Sequence, residues 1–382
     1  MRVGTPGFVA QRLTEAREAR GLAQTALSEL TGIKSQSISH YEQGRQSPSP
    51  EALLLLCEKL EVPERYFLHA MPGHAMSGIF FRSLRPQTRA IRVKAERRLS
   101  WLKEIAAYLA VHIDLPECAI PDYPVAPDCC DSGMEIERVA DACRQAFGVG
   151  YGPVTGLVTM AENLGCIISR GICAGEPEGA CSHWGSDRPY ILLSGDGCSS
   201  RIRFDAAHEI GHLVMHRGLG PEAADPEKHR VLEQQADRFA RAFLMPARVF
   251  GREVWASTVD ALLSLRKAWN CPVSAMITRC GEIGAFDADQ VRRAAVNLAR
   301  RGWKEAASTE GEVEGETPRL VARCMRLLIE SGAKDRHVVM ADLCLGARDV
   351  EGLAGLAEGY LAGGAGPFPA ALRLRGKVVD GR

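Results

Sequence analysis

Two pairs of side chains, each pair four residues apart, restrict this chain more than any other feature: His208 with His212 in AHEIGHLVMH, and Glu233 with Asp237 in EQQAD. On an α-helix, residues four apart share a face on successive turns. Both pairs therefore ask for helices, and the two helices must pack together if the pairs are to serve one site. Activating water at a zinc ion takes three protein ligands, an open position and a base. His208 and His212 can chelate one ion from successive turns. Glu209, about 100° round the helix from His208, can reach a water at that ion without ligating it, the place of a general base. His216 is a tempting third ligand, but it lies about 12 Å along the helix axis from His208. Its spacing also differs from patterns whose third histidine comes ten residues after the first. A capping or core role suits it better. Glu233 can complete the ligand set instead, and Asp237 can accept the free ring N–H of one histidine and fix its tautomer. Two other readings stay open on the residues alone: histidines at a core edge, and a metal site kept for structure or sensing, since spacing cannot reveal an open coordination position.

The rest of the chain sets the frame for that site. Its 382 residues exceed one ordinary core and imply two or three domains. With 46% hydrophobic and 25% charged residues the composition is that of a soluble globular protein, and a formal net charge of zero gives no global pull toward nucleic acid or membrane. The start MRVGTPGFVAQ lacks a leader pattern and the apolar runs are short, so a cytoplasmic protein with no membrane partner is expected. Thirteen cysteines, irregularly spaced and without a CxxC, read as reduced thiols in the core.

Hydrophobic periodicity and glycine punctuation divide the chain into a five-helix N-terminal domain (1–70), a basic helical connector with a proline-rich linker (71–130), a mixed domain (131–305) and a helical C-terminal region of unknown role (317–382). The expected fold class is α+β, mostly helical. The connector carries Arg82, Arg85, Arg89, Arg92, Lys94, Arg97, Arg98 and Lys103, which would either favour DNA or coat a solvated helix face. Strands are expected at Cys166–Arg170, Ala180–Trp184 and Pro189–Leu193, and an acidic linker at Ser308–Glu316.

Gln24 to Glu42 reads as helix, turn at Gly32 and helix, and SQSISHYEQGRQSPSPEALLLLCEKLEV over residues 35–62 resembles the phage-repressor (XRE-like) type of helix-turn-helix. The resemblance implies that the second helix enters the major groove by Ser35, Gln36, Ser37 and His40, with Ile38 and Tyr41 toward the core. Gln36 suits adenine, the serines suit phosphates or base edges, and Gln24 suits a phosphate. A DNA operator is thus an expected partner, and paired half-sites would ask for a homodimer. Against strong non-specific binding, residues 1–70 hold eight Lys or Arg and eight Glu. An adaptor role for the same fold is the competing reading.

RFDAAHEIGHLVMH with EQQADRFARAFLMP, preceded by SHWGSDRPYILLSGD and SSRIRF, resembles the ImmA/IrrE family of zinc metallopeptidases, gluzincin-like proteins of bacteria and their mobile elements. The likeness covers roughly Gly152 to Val249. It implies a gluzincin-like domain in which His208, His212 and Glu233 ligate one zinc ion and Glu209 is the catalytic acid/base. Manganese or iron would also accept such ligands. Gln235 departs from many relatives, which carry a second acidic residue there. In that fold an extended strand beside the active-site helix binds the substrate chain, here Pro189–Leu193. Such enzymes cut a specific protein partner, often a repressor, and relatives with an N-terminal DNA-binding domain occur, which the basic FFRSL segment fits. The expected protein is a DNA-binding regulator fused to a zinc endopeptidase. The alternative is a regulator or antitoxin whose zincin-like domain only senses or binds a partner.

Overall fold

A computed structural model describes residues 4–71, 79–81, 89–127, 132–172, 180–194, 198–219, 225–301 and 316–362. Arg82, Arg85 and all but the last residue of the acidic Ser308–Glu316 stretch lie outside the described residues. The chain forms α1 (Ala10–Ala19), α2 (Gln24–Thr31), α3 (Ser35–Glu42), α4 (Pro50–Leu60), a 3-10 turn at Glu64–Leu68, β1 (Phe80–Phe81) and α5 (Arg89–Ala110). Next come α6 (Ser132–Ala146), α7 (Leu157–Asn163), β2 (Ile167–Ile172), β3 (Cys181–Trp184), β4 (Pro189–Ser194), α8 (Ser199–Met215), α9 (Pro226–Leu244) and α10 (Ala247–Glu253). The last elements are α11 (Val259–Trp269), α12 (Val273–Glu282), α13 (Ala288–Arg300), α14 (Leu320–Glu330), α15 (Arg336–Leu343) and α16 (Ala347–Ala354). The fold is α+β and mostly helical. Among the described residues no helix is long and apolar enough to cross a membrane.

Alternation along the strands builds two cores, one on each side of a single sheet. Ile168, Ile191 and Leu193 face a core with Ile210, Leu213, Phe239 and Phe243 of α8 and α9. Their neighbours Ile167, Tyr190 and Leu192 face the opposite way, into a core with Leu99, Trp101, Leu102 and Ile105 of α5. That second core also takes in Leu13, Leu27, Ile38, Leu56 and Phe67 of the N-terminal helices and Met325, Leu328, Val350 and Leu353 of the C-terminal ones. The N-terminal helices thus do not close on themselves: α5 and the C-terminal helices complete their core.

Ion pairs follow the same seam. Arg12 grips Glu104 of α5 with two bonds, at 2.9 and 3.1 Å, and Glu15 at 2.7 Å. Arg20 grips Asp349 of α16 at 2.9 and 2.7 Å and donates to the Leu60 carbonyl. The basic run of α5 is turned inward where it is described: Arg92, Lys94, Arg97 and Arg98 are half-buried, Lys103 is buried, and Arg97 pairs with Glu18 at 2.8 Å. A helix covered by the N-terminal domain on one side and the sheet on the other has little face left for solvent.

The sheet order is β1-β3-β4-β2, with β2 parallel to β4 and the other neighbours antiparallel. This corrects one expectation. Pro189–Leu193 lies in β4, which is paired on both sides, so it offers no free backbone to an added peptide. The strand beyond it is β3, and the far side of β3 is taken by β1, with Phe80 opposite Ser182 and Phe81 opposite Cys181. Nothing in the local sequence of β4 distinguishes an inner from an outer strand, because its neighbours come from distant segments.

The proline-rich stretch expected as a linker is laid along α8 instead. Its Tyr123 and Val125 N–H groups donate to the carbonyls of Val214 and Met215 at 2.9 and 3.3 Å.

Candidate metal centre and DNA-facing helix

Helix α8 is buried along nearly its whole length, with α9 on one side and the sheet on the other. The two helices approach closely at Gly211, where an added Cβ would stand 2.9 Å from Phe239 Cδ1. Helix α9 starts where Asp225 accepts from the Glu227 N–H at 2.8 Å, ahead of Pro226 at its first position, and stops before Pro246. Its strongly amphipathic sequence turns Leu232, Ala236, Phe239 and Phe243 into the core, which brings Glu233 and Asp237 onto α8.

His208 Nε2 and His212 Nε2 stand 3.1 Å apart, and the Glu233 carboxylate lies 3.3 Å from the first and 3.1 Å from the second. These atoms and one another lie within 4.8 Å. Two ligands about 2.0–2.1 Å from a tetrahedral zinc ion stand about 3.3 Å apart, so the spacing fits one ion. Among the described residues the buried Glu233 oxygens close no hydrogen bond of standard geometry; they face the His208 and His212 Nε2 atoms, with His229 Nε2 farther off at 3.9 Å. Burial raises the Glu233 carboxyl, but His212 and His208 outweigh it and hold the group below the usual carboxylate range. Burial lowers His208, yet Asp237 and Glu233 lift it to about 10. A pocket walled by two imidazoles and a carboxylate in this way is one that a cation satisfies.

The residues around this trio are equally specific. Asp237 Oδ1 lies 2.9 Å from His208 Nδ1, where a carboxylate can only accept the ring N–H. His212 Nδ1 faces His216 Nδ1 at 2.9 Å, and His216 Nε2 faces Gln235 Oε1 at 2.9 Å. His216 is fully buried at the C-cap of α8, and burial together with His212 lowers its pKa to about 3. Glu209 is buried beside the trio, and burial pushes its carboxyl up to about 7 against the pull of His208. Its Oε2 has no hydrogen-bond partner among the described residues. Ser182 of β3 adjoins it and lowers its pKa somewhat without closing a hydrogen bond of standard geometry.

On α3, Gln36 is exposed, Ser35, Ser37 and His40 are half-buried, and Ile38 is buried in the core, with Tyr41 packed against it. Gln24 is turned onto this helix: its amide donates to Glu42 at 2.7 Å, and Glu42 also binds Arg17 at 2.5 and 2.9 Å. Sequence reasoning passed over Lys34 and Arg45. Both are exposed, one at the N-cap of α3 and one three residues beyond its end, and a lysine directly before the second helix was a readable signal.

Fold and site together define the class: a helix-turn-helix unit joined to a domain with an HExxH helix against a second helix that supplies acidic residues. Comparison with known families agrees. Residues 13–67 match the helix-turn-helix family model, and residues 157–280 match the IrrE N-terminal-like domain, the M78 peptidase family. The chain therefore carries an XRE-like helix-turn-helix domain and an IrrE/ImmA-type M78 domain. No curated protein matches it.

Proposed function

We propose that this chain is a DNA-binding regulator that hydrolyses a peptide bond in a specific protein partner, such as a repressor, at a zinc centre held by His208, His212 and Glu233. One observation carries the reading: two imidazole Nε2 atoms and a carboxylate converge beside a buried, partly unpartnered Glu209. When bound, the ion supplies a Lewis acid for the scissile carbonyl and a low pKa for an attacking water. Glu209 takes the proton from the attacking water and returns it to the leaving nitrogen. A pKa near neutrality suits a group that must do both. Asp237 holds the His208 ring. The substrate backbone adds in extended form along the outer side of β3, in place of Phe80–Phe81 and next to Ser182 and Glu209. Ser35, Gln36, Ser37 and His40 read the operator, and Gln24 supports them from α2.

Glu209→Gln tests the catalytic part. Cleavage of a partner identified by comparing the proteomes of cells with wild-type and variant protein is expected to vanish while bound zinc stays stoichiometric. Cleavage that survives the change refutes the mechanism. Regulation that is unaltered by it favours the sensing alternative.

A further inference from the structure

The metal trio accounts for His208, His212 and Glu233, and leaves the buried His216 and the uncharged Gln235 unexplained. Their hydrogen bonds can be assigned from one fixed end. The Ala126 carbonyl is held against the C-terminus of α8 by the flanking Val125 N–H, which donates to Met215 O at 3.3 Å. A carbonyl only accepts, so the Gln235 atom 3.0 Å from it is the amide nitrogen, which leaves Gln235 Oε1 toward His216. That oxygen only accepts, so His216 carries its proton on Nε2 and a lone pair on Nδ1. His212 must then donate from its own Nδ1 across the 2.9 Å contact, and its lone pair falls on Nε2, the atom that faces Glu233.

We propose that His216 and Gln235 are positioning residues: anchored on Ala126, they lock His212 in the one tautomer that presents a lone pair to a divalent cation. Asp237 does the same for His208 with one carboxylate. Both rings thus have Nδ1 committed as a donor by unlike means, His208 by a charge and His212 by a neutral chain through His216 and Gln235 to Ala126. An amide suits this place better than a carboxylate. It satisfies the Ala126 carbonyl as well as the ring N–H, and adds no second negative charge beside Glu233. The inference rests on the proposed metal role of His212, but its first test does not need the ion.

That test is the ring-nitrogen spectrum of full-length, zinc-free protein labelled with ¹⁵N-histidine. His212 is expected to show a protonated Nδ1, while its Nε2, 3.1 Å from the Glu233 carboxylate, is free to exchange a proton for zinc. An unprotonated Nδ1 in the wild type overturns the proposal whatever the variants do, and whether or not the protein cleaves anything. The second test is zinc affinity, read by competition with a chelating dye. Gln235→Leu is expected to mix the His212 tautomers and weaken zinc binding by about 10–100-fold. Gln235→Glu, which keeps an acceptor for His216 but sets a carboxylate oxygen against the Ala126 carbonyl, is expected to hold the His212 tautomer better than Gln235→Leu and to fall short of wild type in zinc affinity. A Gln235→Leu protein with an unchanged tautomer and affinity refutes the role of the amide. Loss of cleavage with tautomer and affinity intact counts against the proposed hydrolysis and not against this chain of bonds.

Discussion

Gly211 sits one residue before His212, on the line where α8 and α9 touch, and its replacement by alanine probes how tightly the proposed metal trio depends on helix packing. The new Cβ would stand 2.9, 3.2 and 3.3 Å from Phe239 Cδ1, Cγ and Cβ. Ordinary contact is about 3.5 Å or more, so the helices must part by about 0.5 Å; the ring cannot simply swing away, since its own Cβ is among the crowded atoms. Overpacking of this kind costs about 1–3 kcal/mol, and alanine's better helix propensity returns up to about 1 kcal/mol. A net loss of about 1–2 kcal/mol is expected, which for a chain of 382 residues is a fall of about 1–3 °C in the unfolding midpoint. Parting the helices also draws Glu233 from the two imidazoles, so zinc affinity should fall along with stability. Thermal unfolding and chelator competition on Gly211→Ala read the two effects separately. Unchanged stability and affinity would refute the packing argument. Lost stability with unchanged affinity would mean that the trio is held by its own hydrogen bonds, not by the helix spacing.

Two further expectations concern the other half of the molecule. Lys34→Ala and Arg45→Ala should each weaken binding to any DNA sequence and reduce the slope of log affinity against log salt by about 0.9, read by fluorescence anisotropy across a salt series; a changed sequence preference with an unchanged slope would count against phosphate contacts. Arg20→Ala leaves Asp349 largely buried and unpaired, and at 18% exposure of the arginine a loss of about 2–3 kcal/mol is expected, the lower end for orphaning a buried charge. Asp349→Asn in the same background should recover part of it in denaturant unfolding, and no recovery would refute the pairing.

What the sequence disclosed and what it hid differ in range. The two helices of the site were legible over residues 204–216 and 227–245, because i, i+4 spacing and a terminal proline act within a few residues of one another; α8 starts five residues earlier, at Ser199. So were the helix-turn-helix and the three principal strands, whose periodicities are local. The partner of His216 was not. It depends on Gln235 lying across the helix pair and on Ala126, 109 residues away from that glutamine, supplying the carbonyl. In the sequence Gln235 was only a departure from a familiar pattern. The inner position of β4 and the inward turn of α5 were hidden for the same reason: each is decided by a segment far along the chain.

The shared core of the N-terminal helices, α5 and the C-terminal helices also bears on how the two proposed activities can be separated in the laboratory. Deleting residues 1–70 would uncover Leu99, Trp101, Leu102 and Ile105, and deleting the tail would uncover the same helix from another side. A fragment made by truncation would then present a wide apolar surface and fail by aggregation, whatever its chemistry. A truncated gene that loses function therefore says nothing about which half was needed. Single substitutions at exposed positions such as Gln36, and the isosteric Glu209→Gln, are the tools that leave the common core intact.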